Sequence, residues 1–450
     1  MNIGLLVLDS VRKDIFDNYT SRLSALADVN LDECRSTSSW SAPSHAAMIT
    51  GKLPSDIGIH TYQKSYDGVA FGETVFDVPH QRIGVSSNMY ANTHYGFDRF
   101  FDAFHNLHAA HPNPDGIHVG RWLNENDGGI GRYVRFLQQA LARNHTAASL
   151  KNGIHTKLDD ISDNLPFPRP IDEGTQAINA KITSETTDEP WFVFANYMEA
   201  HTPHRSVLHY DSSLYDAPSS WSSYDADLWE IRRRVRAGEE LTDQHHYDIE
   251  RFRELYAAAV EYLDRGVARM IQKVRSRATE ETMFIVTADH GENMLLSDDE
   301  TIWGHTSSLS EGLLHVPFVV IGGPEWLQGG SPEFFSHLDL RELIENVLAD
   351  KRTWPTRDRI PVELIGGGVG IPDDSDHKFY DRAIRAVYDD PATKWEWDSI
   401  GNRNQNDWDD SVHNLFTDDI GTMRQCAMEA ESETHLDEQA RSRLEDLGYV

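Results

Sequence analysis

Five short apolar runs recur along this chain, and most end against a polar or ionisable residue. They are IGLLVL (3–8), RIGVSS (82–87), WFVFAN (191–196), MFIVTA (283–288) and VPFVVIG (316–322). Short, near-continuous apolar runs are what strands buried on both faces of a parallel sheet require. Helical patterns lie between them. The clearest is YDIERFRELYAAAVEYLDRGVARMIQKVRS (247–276), with apolar residues at three- and four-residue spacing. Strands alternating with helices predict an α/β fold: a mostly parallel central sheet flanked by helices on both faces. At 450 residues the chain can bury a large core.

FFSHLDLRELIENVLAD (334–350) reads as the last helix of the main domain, and the composition shifts after about residue 356. The expected organisation is a main α/β domain over 1–355 and a small C-terminal α+β subdomain over 356–450, with a helix near 427–447. ELIGGGVGIPDD (363–374) reads as a flexible turn, since no strand-to-helix pattern and no Lys make it a phosphate loop. Two long segments interrupt the alternation, about 104–175 and 205–246. Such insertions either build the rim of a site or decorate the surface, and composition does not choose between them. His105, His108, His111 and His118 fit no metal-ligand spacing and read as loop residues.

Charge narrows the partners. The chain carries 73 acidic and 41 basic residues, a formal net charge of −32. Nucleic-acid backbones and anionic membranes both call for basic surface, so neither is expected as a partner. The acid is spread along the chain and reads as a solvated surface, of the kind a high-salt environment tolerates. With only Cys34 and Cys426, no disulfide framework or cysteine zinc site is available. The apolar run near the N-terminus lacks a preceding basic segment and is too short for a membrane span. The expected location is cytoplasmic.

In open α/β sheets, ligands sit beyond the carboxyl ends of the strands. The first run delivers Asp9 there. The third leads into Glu199, His201 and His204, and the fourth into Asp289, His290 and Glu292. His305 precedes the fifth. Between the first two runs lies STSSWSAPSHAAMITG (36–51), a Ser-rich loop turning into a short helix that Gly51 ends. The serines there either cap the helix or include a nucleophile facing an anion. Asp9, Asp289 and His290 form a donor set for one divalent cation, Mg²⁺, Mn²⁺ or Ca²⁺, or Zn²⁺ with more nitrogen ligands. Such an ion neutralises an anionic ester and lowers a hydroxyl pKa. His201 and His305 can hold non-bridging oxygens or protonate a leaving group.

These residues resemble the sulfatase family, within the alkaline phosphatase superfamily. SAPSHAAMITG (41–51) is similar to its signature, Cys or Ser followed by Pro and a short helix ending in Thr-Gly. The likeness continues in order through VLDSVRKD (7–14), GFDRFFD (96–102), HTPH (201–204), YAAAVEYLD (256–264), TADHGE (287–292), GH (304–305), LLHVP (313–317), SHLDL (336–340) and LEDLGYV (444–450). The resemblance implies an alkaline phosphatase-like sandwich with a small C-terminal subdomain. It implies Asp9, Ser41, Asp289 and His290 as metal ligands, Ser41 being also the nucleophile, with His201 and His305 catalytic. His45, Arg12 and Asn88 follow as pocket residues that bind substrate.

The sequence also departs from the family pattern. Ser10 stands where many members have a second Asp, and His290 where many have Asn. The Lys-containing motif after the second run is absent, and His45 replaces the signature Arg. Sulfatases oxidise the signature residue to formylglycine, which releases sulfate by collapse to the aldehyde. His45 makes that conversion of Ser41 doubtful, and an unmodified serine favours two-step displacement at phosphorus. The leading expectation is therefore a metal-dependent hydrolase of sulfate, phosphate or phosphonate esters acting on a small-molecule or glycan substrate. Alternatives are transfer of a phosphoryl-type group to a glycan or lipid acceptor, or a non-catalytic binding protein keeping the fold. Ser44 reads as a helix-cap residue. Substrate, metal identity and oligomeric state are not legible.

Overall fold

A computed structural model describes residues 1–107, 131–142, 145–162, 167–187, 190–300, 302–367, 377–401 and 410–416, with a few positions between 116 and 129. The strands are β1 (Asn2–Leu8), β2 (Val29–Leu31), β3 (Cys34–Arg35), β4 (Gln81–Ser86), β5 (Ala103–Asn106), β6 (Trp191–Tyr197), β7 (Thr282–Thr287), β8 (Phe318–Ile321), β9 (Phe335–Ser336), β10 (Ile360–Leu364), β11 (Ile384–Asp390) and β12 (Thr393–Asp398). Seven of them form one sheet in the order β2-β8-β7-β1-β6-β4-β5. The pairs β7–β1, β1–β6, β6–β4 and β4–β5 are parallel. This is the mostly parallel α/β sheet expected from the runs, in the alkaline phosphatase-like arrangement that the resemblance implies.

The fifth run departs from the reading in direction. β8 pairs antiparallel with β7, and β2 antiparallel with β8. An apolar run buried on both faces reads alike in either direction, so the sequence pattern does not carry strand polarity. β3 and β9 make a separate parallel pair. β10, β11 and β12 form an antiparallel sheet near the C-terminus. Two other readings change. His105 lies in β5, not in a loop, and the segment read as a flexible turn begins with Glu363 and Leu364 inside β10. His108, His111, His118, Cys426 and the helix near 427–447 lie outside the described residues.

β1, β6 and β7 are buried along their whole length, which is why their sequences do not alternate. The long helix Asp243–Arg275 buries its apolar stripe in the same core as the sheet through residues such as Phe252, Tyr256, Leu263 and Ile271. Its start is closed by a capping box between Thr242 and His245. Among the described residues, no helix is long and apolar enough to cross a membrane.

Two histidines within this packing set its acid response. Burial pushes His204 down to about 3 and His337 down to about 3. An unfolded histidine titrates near ~6.5. Between those values the unfolded chain binds protons that the folded chain refuses. Stability present above about pH 6.5 therefore drains as pH falls, by up to about 1.4 kcal/mol per pH unit for each group. Urea unfolding of chelator-treated protein should give a lower free energy at pH 5 than at pH 7. His204→Gln should flatten that slope; an equal slope in the variant would show that His204 is not its source.

Candidate active site

The site forms where β1, β4 and β7 end and the helix Ser41–Thr50 begins. Strand ends leave side chains that no longer pair into the sheet, so polar groups gather there. Ser41 is the first residue of its helix, and Trp40 is the N-cap, with no side-chain cap bond. The helix therefore presents its positive end and its Ser41 hydroxyl to the same space. Gly51 closes the other end at φ +70°, where a side-chain carbon would stand 2.8 Å from the Leu338 carbonyl oxygen.

Ser41 Oγ lies 3.3 Å from Asp9 Oδ2 and 3.4 Å from His290 Nε2. Asn88, just past β4, donates its amide to Ser41 Oγ at 3.0 Å and also to Asp9 Oδ2. His290 Nδ1 donates to the Gly291 carbonyl at 2.8 Å, which leaves Nε2 as the lone-pair nitrogen facing the carboxylates. That nitrogen is 3.5 Å from Asp289 Oδ2 and 4.0 Å from Asp9 Oδ1. One donor atom each from Asp9, Asp289 and His290 lie within 4.8 Å of one another.

These donors fit a divalent cation. Asp9 and Asp289 are both fully buried, yet no Lys or Arg forms an ion pair with either among the described residues. Asp289 Oδ1 accepts backbone N–H groups from Ser10 and His290 at 3.3 and 3.0 Å, while Oδ2 is buried without a hydrogen bond. The two buried carboxylates meet only imidazole rings, His290 and, at 3.7 Å from Asp289 Oδ2, His45, and a dication between them would neutralise their charge.

A second layer holds these groups in place. Ser10 has φ +60°, a left-handed conformation rare outside glycine, and donates its hydroxyl to Asp9 Oδ1 at 2.9 Å. Its carbonyl accepts from Tyr256 at 2.6 Å, which holds that turn. The position occupied by a second Asp in many family members thus serves here to orient both acids. Ser36 donates to the Asp289 carbonyl. Ser44 is not a cap: it sits inside the helix and donates to the Ser38 carbonyl at 3.0 Å, tying the helix to the Ser-rich loop.

His201 and His305 form the opposite wall. Their ring centroids are 5.3 Å apart, and the His305 ring is 4.8 Å from that of His290. His201 Nδ1 donates to the Thr202 carbonyl at 2.6 Å, and burial holds this ring below the usual histidine range. His305 Nδ1 meets Glu292 Oε2 at 2.8 Å. Burial opposes protonation of His305, but the charge and hydrogen bond of Glu292 outweigh it and raise its pKa. The two imidazoles are thus biased in opposite directions, one neutral and one cationic.

Arg12 falls outside this space, and His45 stands at its edge, its Nδ1 3.7 Å from Asp289 Oδ2. His45 Nε2 accepts from Asn196 Nδ2 at 2.9 Å and its Nδ1 donates to the Ser41 carbonyl at 2.7 Å. Its ring packs on Phe97 and Phe194, so it fastens the nucleophile's backbone to β6. Arg12 bonds both Asp14 oxygens, Asp299 and the Glu292 carbonyl, which occupies its guanidinium. His204 packs on Phe252 and Tyr256, and Glu199 accepts from Tyr210, Thr175 and the Glu173 amide. Neither touches the cluster in any of these contacts. Ser10 and Asn196 were not read as site residues. The signal for Asn196 was a polar side chain inside a buried strand.

The fold is an α/β sheet protein with a buried Asp-Asp-His cluster at its strand ends. The profile of the sulfatase family matches residues 2–344, and the chain belongs to that family. Enzymes of the family use a divalent metal, and the chain is in that general sense an ester-cleaving enzyme. No curated protein matches the sequence. Among solved structures, the phosphonate monoester hydrolase of Agrobacterium radiobacter aligns with a TM-score of 0.54 at 14% identity, covering 98% of this chain and 95% of that one. The phosphonate monoester hydrolase of Silicibacter pomeroyi gives 0.52 at 16%, covering 96% of each chain. A 2-O GAG sulfatase gives 0.52 at 13%, covering 98% of this chain and 93% of that one. At these identities the likeness is one of fold.

Proposed function

We propose that the protein hydrolyses an anionic phosphorus ester, a phosphate or phosphonate ester, with unmodified Ser41 as nucleophile. The observation that carries this is the Ser41 hydroxyl at a helix N-terminus, within 3.4 Å of both Asp9 and His290. Asp9, Asp289 and His290 would hold the metal ion, which supplies Lewis acidity to the ester oxygen and to the hydroxyl. Asn88 orients Ser41 Oγ by donating into one lone pair, leaving the hydroxyl proton directed at Asp9 or His290. The helix N-terminus favours the anionic ester next to it. Attack at the central atom expels the alcohol. His305, biased towards the cation by Glu292, donates a proton to that leaving oxygen. His201, biased towards the neutral form, is the base available to the water that releases the serine ester.

His45 supports the unmodified reading. It fills the place of the signature Arg and is committed to Ser41 O and Asn196. Two measurements test the proposal together. Mass spectrometry of the peptide holding Ser41, from native-host protein, should show an intact serine. Aryl phosphonate and aryl phosphate esters should then be turned over faster than aryl sulfate with Mg²⁺, Mn²⁺ or Ca²⁺. Loss of two hydrogens at Ser41 with a preference for aryl sulfate would overturn it.

A further inference from the structure

The helix Leu228–Ala237, inside the second insertion, reaches the loop that carries His305. Arg232 makes that contact and is only 9% exposed. Its Nη2 donates to Thr306 Oγ1 at 3.2 Å and to Ser307 Oγ at 2.8 Å. Its guanidinium carbon lies 4.7 Å from the Trp229 ring centre and 4.4 Å from that of Tyr380. All these partners are neutral. Among the described residues no carboxylate forms an ion pair with Arg232, the charge of Glu292 reaches it only from further off, and its Nε is buried without a hydrogen bond.

Other buried arginines are treated differently. Arg12 pairs with Asp14 and Asp299, Arg35 with Glu33 and Glu311, Arg251 with Glu250 and Glu254, and Arg385 with Glu363. In a chain with 73 acidic residues, an acid is seldom far away. Burying a guanidinium without one is costly, and such a cation is a ready partner for an incoming anion. Its position is next to the chemistry. Gly304 has φ +83°, and a side-chain carbon there would stand 4.0 Å from Arg232 Nη1. The following residue is His305, whose ring centroid lies 5.3 Å from that of His201 and 4.8 Å from that of His290.

We propose that Arg232 is a specificity-determining residue that binds a carboxylate on the non-reacting part of the substrate, through a guanidinium held by the Trp229 and Tyr380 rings. The substrate class is then a phosphorus ester with a second acidic group away from the reacting phosphorus. This rests on the phosphorus-ester reading above. A planar carboxylate suits the guanidinium fork, and the aromatic walls suit a planar or apolar spacer.

The test compares probes with and without that carboxylate. Phenylphosphonate and its 3- and 4-carboxy derivatives keep a carbon–phosphorus bond that the proposed reaction does not touch. Calorimetric titration of the metal-loaded wild type should show one carboxy isomer binding about tenfold or more tighter than phenylphosphonate. In Arg232→Gln that ratio should fall to near one, and Arg232→Lys should keep part of it. A purely structural role would weaken all probes and leave the ratio intact, which overturns the proposal. So does a wild-type ratio near one, a result that needs no variant to fold. Turnover of aryl phosphonate esters is scored separately. If the wild type turns over none while the binding ratio behaves as expected, the reaction reading fails and the anion site stands.

Discussion

Replacing Ser41 with Ala should lower kcat/KM for aryl phosphonate esters by about 10,000-fold or more, while the fold and metal affinity stay near wild type. The substitution removes one oxygen. Ala keeps the helix start, because Trp40 provides the N-cap through its backbone and no Ser41 side-chain cap exists to be lost. Asn88 loses one acceptor but retains Asp9 Oδ2, so no buried amide is stranded. The donors of Asp9, Asp289 and His290 remain in place. A true nucleophile therefore gives a large loss in rate with little change in thermal midpoint or in ion titration. A loss under tenfold would show that water attacks directly, and Ser41 would then be a hydrogen-bonding residue. Loss of both rate and midpoint would instead mark Ser41 as structural.

Much of the fold was legible because burial leaves a plain mark on composition. β1, β4, β6 and β7 were read from apolar runs, and the strand-end rule then pointed to Asp9, Asp289 and His290 before any distance was known. β2, β3, β5 and β9 span two to four residues each, too few for a periodic signal. The direction of β8 depends on how the chain returns to the sheet, which residue types do not record. At the site, residue chemistry was legible and side-chain direction was not. His45 and Arg12 are pocket residues by the family resemblance, yet each is engaged by a neighbour far away in sequence, Asn196 for one and Asp299 for the other. Arg232 is hidden more deeply. It sits in the run RRRVR on a surface-like helix, where Arg233 and Arg234 pair with Glu230 as ordinary exposed residues do. Only tertiary contact with Thr306, Ser307 and Tyr380 separates it from them.

Removing the divalent ion should abolish turnover and destabilise the protein, and Asp289→Asn should separate the two effects. In the chelated protein, Asp9 and Asp289 face each other through a buried space with no Lys or Arg paired to either. Coulomb repulsion there is weakly screened. Binding an ion at a hundred times its Kd contributes about 2.7 kcal/mol of stability by mass action alone. Asp289→Asn removes one of the two charges while keeping the side-chain shape. The chelated variant should therefore unfold at or above the temperature of the chelated wild type. Added ion should then raise its midpoint far less, and activity should fall about 1,000-fold or more, since the variant gives up a charged ligand. Thermal scans with and without Mg²⁺, Mn²⁺, Ca²⁺ and Zn²⁺ read the stability side, and the ion giving the largest wild-type rise is the best fit to two carboxylates and one imidazole. If the variant gains as much from the ion as the wild type does, Asp289 is not a ligand. If the chelated wild type is as stable as the loaded form, the two acids share a proton instead, and the cluster is an acid pair rather than a metal centre.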